Sequence, residues 1–375
     1  MTTNKRLLSL DILRGFDLFM LVGLQPVLRQ FLAIIDNETL NSTLLPQLDH
    51  VQWEGFSAWD LVMPLFLFMS GVTMPFSLPK YVERNSHAAL WKRIIKRVLL
   101  LWLFGMIVQG NILSLDPNAV YLFSNTLQAI AIGYLLTAPM VVYMNTKMQI
   151  LTIAALIIIY SLPMFLCGDW GQHTNFAAEL DRIILGRFRD QTTLLPDGSW
   201  QTASWYDYTW LWSSLTFACT VALGSLAGRI IKAGESNHNK SALTLLLTGI
   251  ALVVCGEIFG IYQPIIKRIW TASMTLYSGG WCFILLALSY WWIDVKGHSR
   301  GLKWLLFYGC NAITAYMIGM VINFRGIASS LLYGCEKYID EWYPLLLTAG
   351  NSIILFIILA ILLRISYSCI VLPIL

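Results

Sequence analysis

His50 stands in the run Asp49-His50-Val51-Gln52-Trp53-Glu54-Gly55-Phe56-Ser57-Ala58-Trp59-Asp60, which feeds directly into the apolar stretch LVMPLFLFMSG. A histidine, two tryptophans and three carboxylates therefore gather at the lip of a hydrophobic segment. Such groups are costly to hold there unless something pairs or uses them. A neutral imidazole can take a proton from an attacking amine or hydroxyl, or can itself carry an acyl group as an acyl-imidazole. Either task needs a partner that fixes the tautomer, and Asp49 and Asp60 are the candidates. A lone loop histidine is also an ordinary surface group. Ser57-Ala58-Trp59-Asp60 likewise fits a helix-capping box with Ser57 as N-cap, a role compatible with a catalytic one for Asp60.

The elements that must present this run are membrane helices. Of 375 residues, 57% are hydrophobic and 12% charged, whereas soluble domains carry about a quarter charged residues. Apolar runs long enough to cross a bilayer recur along the chain, so the predicted fold is all-α, a polytopic membrane helix bundle. Ten spans are predicted, near 12–34, 60–79, 94–113, 125–144, 149–167, 210–231, 241–262, 271–293, 304–324 and 344–366. The first begins after Lys5 and Arg6, is broken by Asp11, Arg14 and Asp17, and reads as a span rather than a cleavable signal. No linker divides residues 1–375, which are predicted to form one domain.

Ten spans put both termini on one side. If that side is cytoplasmic, 17 of the 25 basic residues lie on it or at its edge, which places His50 on the outer face of a bacterial-type inner membrane. The longest outer loop, about 168–209, is rich in carboxylates and aromatics. Within it Phe176, Leu180, Ile183, Ile184 and Phe188 recur at helical spacing, which predicts an amphipathic helix on the membrane surface. Aromatic faces and carboxylates suit a sugar ligand, and equally an interfacial aromatic belt. The basic inner loop 80–97 suits either a polyphosphate-bearing donor such as coenzyme A or anionic lipid.

The seven cysteines show no metal-type spacing, so no metal is expected, and no basic run points to nucleic acid. Cys167 and Cys335 could meet outside the membrane. Asp17, Asn125, Gln128, Glu257 and Asn311 fall inside spans and are expected to face the bundle interior, as a polar path or as interhelical glue. Gly224, Ala227 and Gly228 suit packing within one bundle or a homodimer interface.

These residues resemble the heparan-α-glucosaminide N-acetyltransferase family, transmembrane acetyltransferases typified by the lysosomal enzyme of heparan sulfate breakdown. Arg6 to Gly15 resembles its RLxSxDxxRG opening, and His50 to Gly71 its H-x-x-W-x-G-x-x-x-x-D-L-V-x-P-x-F-x-F-x-x-G block. Leu127 to Ala131 is similar to LQRLA, with Ala129 in place of arginine. Pro264 to Thr271 resembles PxxKxLWT, and Asp294 to Gly297 matches DVKG. The resemblance implies transfer of acetyl from cytoplasmic acetyl-CoA to the amino group of a terminal glucosamine or related glycan outside, with His50 as the active-site residue. Gln25 stands where the lysosomal enzyme has an active-site asparagine.

The catalytic candidates are therefore His50 and Asp60. The cofactor-binding candidates are Arg14, Gln128, Lys267 and Asn311, and the substrate-binding candidates are Gln25, Trp53, Asn125 and Trp270. Arg14 suits a phosphate contact or snorkelling to the interface. The rival expectations are a proton-coupled transporter of a sugar or lipid-linked glycan intermediate, motivated by Asp17 and Glu257, and a membrane scaffold whose outer loops bind partners.

Overall fold

The computed structural model describes residues 7–84, 86–167, 169–234 and 236–368, without the side chains of 363 and 365–368. Lys5 and Arg6 of the opening run, and Cys369, lie outside the described residues. The predicted all-α fold is the one observed. Helices of ten residues or more are α1 (Leu8–Phe19), α2 (Gln25–Ile35), α3 (Val62–Val72), α4 (His87–Val108), α5 (Thr126–Tyr143), α6 (Thr146–Cys167), α7 (Phe176–Leu185), α8 (Ser214–Ala233), α9 (His238–Gly260), α10 (Ala272–Ser289), α11 (Ala312–Val321) and α12 (Tyr343–Ser368). Among the described residues the one sheet is an antiparallel hairpin, β1 (Thr192–Leu194) with β2 (Trp200–Thr202), in which Thr193 faces Gln201.

Eight helical stretches among the described residues are long and apolar enough to cross a membrane, and a ninth counts if Lys303–Gly309 and Ala312–Val321, bent by 71°, form one span. The remaining predicted span, 94–113, falls on α4. Every window of crossing length in α4 contains Lys92, Arg93, Lys96 and Arg97, too many charges for an uninterrupted apolar span. The bend before α11 sits at Asn311, which leaves helical geometry (φ −116°, ψ 36°). The chain is an integral membrane protein.

The contacts fall into two compact units. The first comprises 7–50, 57–62 and 289–368 among the described residues. Asp294 opens it by accepting the Leu8 and Ser9 N–H groups with its two carboxylate oxygens (3.2 and 3.1 Å), which satisfies donors that α1 leaves unpaired. A Cβ on Gly15 would sit 2.0 Å from Leu305 O, and one on Gly309 1.9 Å from Asp11 O, so only glycines permit this backbone approach. Ile12, Ile293 and Leu305 form a small core there. Between α1 and α2 the helix widens into a π segment, Met20–Leu24, where the Gly23 carbonyl accepts Ser352 Oγ from α12 (3.0 Å).

The second unit comprises 51–56 and, among the described residues, 63–288. Here α3 and α8 interlock through glycines. A Cβ on Gly71 would lie 1.9 Å from Val221 O, one on Gly224 2.0 Å from Phe68 O, and one on Gly228 2.3 Å from Val72 O. Gly224 and Gly228 are therefore used in packing within one bundle. Thr137 Oγ1 donates to Ala218 O (3.1 Å), tying α5 to α8. Glu257, expected to face the interior, is exposed on α9. It lies three residues from the helix end, where a carboxylate can reach the interface instead of a partner. Cys167 and Cys335 are both free thiols.

Candidate active site

In the first unit, Ser57 starts a 3-10 turn, Ala58–Leu61, whose third residue is Asp60. The carboxylate is buried, with 1% of its side chain exposed, and it divides its oxygens between two tasks. Oδ2 accepts the Ser57 N–H (3.1 Å), and Ser57 Oγ lies 3.0 Å from it. The same hydroxyl lies 2.6 Å from Asp49 O, so its single hydrogen serves one acceptor at a time. Oδ1 stands 2.9 Å from His50 Nδ1. A carboxylate only accepts, so Nδ1 carries the proton and the lone pair of the neutral imidazole sits on Nε2. The His50 side chain is 38% exposed, so reactants can approach a ring anchored from behind.

Of the two carboxylates that the sequence offers to His50, Asp60 takes the imidazole. Asp49 pairs instead with Arg29 of α2 (Oδ1 to Nη1, 2.6 Å). One helical turn before Arg29, Gln25 Nε2 donates to Leu48 O (2.9 Å). Gln25 therefore contacts the backbone just ahead of His50.

Two cofactor candidates also lie in this unit. Arg14 faces Asp11 on its own helix at 3.5 Å and is largely covered. The Nδ2 of Asn311 is buried without a hydrogen-bond partner among the described residues, as is Asp17 Oδ2 on α1.

The other candidates lie in the second unit. Trp53 donates its indole N–H to Trp170 O (2.8 Å) and packs on a cluster of Tyr160, Met164, Ala177, Ile266, Ile269 and Ala272. The adjacent Gly55 donates its N–H to Ile265 O (2.9 Å), and Glu54 bridges Ile266. Two motif blocks read separately in the sequence are thus paired strand-like. Lys267 is buried. Trp270, also buried, has φ 50°, a left-handed backbone that costs a bulky residue strain, and its Nε1 donates to Thr220 Oγ1 (3.2 Å).

Asn125 and Gln128 form the capping box that starts α5. Gln128 Oε1 accepts from Ser124 N and Asn125 N (2.8 and 3.2 Å), and its Nε2 donates to Leu122 O (2.8 Å). These bonds occupy both acceptor sites of Oε1 and one of the two Nε2 hydrogens, so a ligand contact from Gln128 would have to use the second amide hydrogen or displace one of them. Asn125 Nδ2 reaches Gln109 Oε1 (3.4 Å), and Gln109 Nε2 donates to Asp190 Oδ2 (2.8 Å).

That last link belongs to a buried polar network that sequence reasoning missed. The helix predicted within the loop 168–209 is present as α7, capped by Asn175 and ended by Gly186 at φ 51°. Its covered face centres on Asp181, while Ile183 and Ile184 are exposed. Asp181 accepts the N–H groups of Trp210 and Leu211 (2.7 and 3.0 Å) just ahead of α8. Burial pushes its carboxyl up to about 6, against the lowering pull of those two donors and of Arg189. Burial also raises the Asp190 carboxyl, opposed by hydrogen bonds from Gln109, Gln191 and Tyr206. The signals available were the small residues Ala177 and Ala178 on the Asp181 face, and the turn residues Pro196-Asp197-Gly198 between β1 and β2.

A sequence model of the family described as "Heparan-alpha-glucosaminide N-acetyltransferase, catalytic" matches residues 6–257, which include His50, Asp60, Asn125 and Gln128. The chain is similar to the heparan-alpha-glucosaminide N-acetyltransferase of Homo sapiens, 24% identical over 321 residues, covering 72% of this chain and 48% of the human protein. It is equally similar to that of Mus musculus, 24% identical over 323 residues with the same coverage. The chain spans about half the length of these curated relatives. With the match extending over more than half of its residues, the chain belongs to the heparan-alpha-glucosaminide N-acetyltransferase catalytic family.

Proposed function

We propose that this protein moves acetyl from acetyl-CoA on the cytoplasmic side of the membrane to the free amino group of a terminal glucosamine, or a related glycan, on the outer side, with His50 as the reactive group. The observation that carries the proposal is the His50–Asp60 pair, in which a buried carboxylate accepts from Nδ1 and so puts the lone pair of the neutral, partly exposed ring on Nε2. The activity for which the human and mouse relatives are named supplies the reaction class. In the direct route the amine nitrogen bonds to the acetyl carbonyl carbon and the carbon–sulfur bond breaks, its electron pair leaving with sulfur. Nε2 takes the amine proton, which goes on to the departing thiolate. In the two-step route Nε2 bonds to the acetyl carbon as the carbon–sulfur bond breaks and the thiolate leaves with its electron pair. The amine nitrogen then bonds to that carbon, the carbon–Nε2 bond breaks, and the proton given up by the amine neutralises the departed thiolate.

Sidedness rests on charge. Ten crossings follow if α4 and the bent pair are both counted, and α4 has an exposed apolar stripe at Ile95, Leu99 and Leu103 suited to lipid. Both termini are then cytoplasmic and His50 is outside. Among the cofactor candidates, Asn311 offers a buried amide nitrogen with no hydrogen-bond partner among the described residues, a fit for a polar group of the donor's pantetheine arm. Arg14, with Asp11 as its neighbour, suits a phosphate. Lys267 and Gln128 remain cofactor proposals, and Gln25, Trp53, Asn125 and Trp270 acceptor proposals. The proton-coupled transporter keeps one supporting observation, the buried Oδ2 of Asp17, which has no hydrogen-bond partner among the described residues.

The test is purified protein in detergent with radiolabelled acetyl-CoA and glucosamine. Labelled N-acetylglucosamine from wild type and none from folded His50→Ala supports the proposal. Equal transfer by His50→Ala refutes the mechanism. Label retained on wild type without acceptor selects the two-step route.

A further inference from the structure

The segment before His50 is a loop, and a loop does not by itself hold an imidazole in a reactive pose. Two residues of α2, one turn apart, reach it. Gln25 Nε2 holds Leu48 O at 2.9 Å, and Arg29 Nη1 holds Asp49 Oδ1 at 2.6 Å. From the other side Ser57 Oγ approaches Asp49 O at 2.6 Å. The two residues immediately ahead of His50 are therefore tethered by backbone or side chain, while Asp60 fixes the ring.

We infer that Gln25 and Arg29 form a positioning clip on α2 that sets the pose of the His50 loop for acyl transfer. This deepens the proposed function and rests on the reading of His50 as the reactive group. The clip has two components with different signatures. The Gln25 bond is partly buried, neutral and insensitive to salt. The Arg29–Asp49 pair is roughly half exposed on both sides, so it is weak and screened by salt. Both contacts go to the loop, and Arg29, which has no proposed substrate role, reads the clip alone: its loss lowers kcat through the fraction of correctly posed His50 and leaves KM for acetyl-CoA and for glucosamine unchanged.

The experiment uses the full chain in detergent, with acetyl-CoA and glucosamine. Gln25→Ala is expected to lower kcat about fivefold, and Arg29→Ala about threefold at low salt, fading by 0.5 M salt. Arg29→Lys should retain most activity, because the contact is between single atoms, Nη1 and Oδ1. The exchange pair Arg29→Asp with Asp49→Arg should recover what either single change loses. A second readout does not need activity. Amide hydrogen exchange of residues 44–52 should quicken in Arg29→Ala and Gln25→Ala and return to the wild-type rate in the exchange pair. Unchanged kcat and unchanged exchange in Arg29→Ala, or no recovery in the exchange pair, overturns the clip. Full activity in His50→Ala overturns instead the reading of His50 on which the clip rests, so the two failures are distinguishable.

Discussion

Replacing Asp60 by asparagine separates the two tasks of its carboxylate. The aspartate accepts on both oxygens, from His50 Nδ1 at 2.9 Å and from Ser57 N at 3.1 Å. An asparagine has one oxygen and one NH2, so one of those donors must face another donor. If the amide oxygen stays with Ser57, the NH2 faces Nδ1. The imidazole then keeps its proton on Nε2 and loses both its base and its nucleophile. If the oxygen turns to His50, a buried Ser57 N–H is left facing a donor, at a cost of about 1–3 kcal/mol. The first arrangement keeps the turn and forfeits the tautomer. By analogy with the loss when a histidine's orienting aspartate becomes asparagine in a serine protease, transfer should fall on the order of 10^4-fold. The assay is acetyl transfer to glucosamine, run beside thermal unfolding so that lost activity is not lost fold. A folded Asp60→Asn with activity within threefold of wild type would refute the reasoning.

Gly224→Ala should destabilise the protein by about 1–3 kcal/mol, because its Cβ would sit 2.0 Å from Phe68 O. Gly334→Ala, where nothing lies within 4 Å of the added carbon, should stay within about 0.5 kcal/mol; thermal unfolding in detergent compares them. Asp181 sets a slope of stability with pH. Its carboxyl rises from 3.8 to about 6 on folding, so the folded state holds the proton more tightly and this group's contribution is full below pH 4. It is lost as pH climbs through 6, by at most about 3 kcal/mol. Asp181→Asn should flatten the melting temperature between pH 4.5 and 7, and an unchanged slope would assign it elsewhere. Trp53→Phe keeps the ring packing and loses the bond to Trp170 O, so it should cost about 1 kcal/mol of stability, read in the same melts.

The all-α membrane fold was legible because hydrophobic runs of crossing length are a strong, local signal. The predicted span that the structure does not return as an apolar crossing helix is 94–113, because the four basic residues of α4 occupy the helix itself and interrupt the apolar run. Asp60 was legible twice, as a cap and as a partner for His50, and in the structure one carboxylate serves both positions. Gln25 was singled out through the family resemblance alone; its bond to Leu48 joins positions 23 residues apart, which no periodicity reports. Glu257 was misplaced because its run is apolar throughout, and only the helix end shows that a carboxylate there can escape the bundle. The Asp181 and Asp190 network was hidden for a different reason. Its partners, Trp210, Leu211 and Gln109, are far away in sequence, and a carboxylate in a polar loop gives no sign that it is buried.

The central claim is transfer across the membrane through His50, and sealed proteoliposomes test it most directly. Labelled acetyl-CoA is enclosed in the lumen and glucosamine supplied only outside. The account predicts labelled N-acetylglucosamine outside the vesicles with wild type and none with His50→Ala. Product formed only when donor and acceptor share a compartment, or formed equally by His50→Ala, would contradict it.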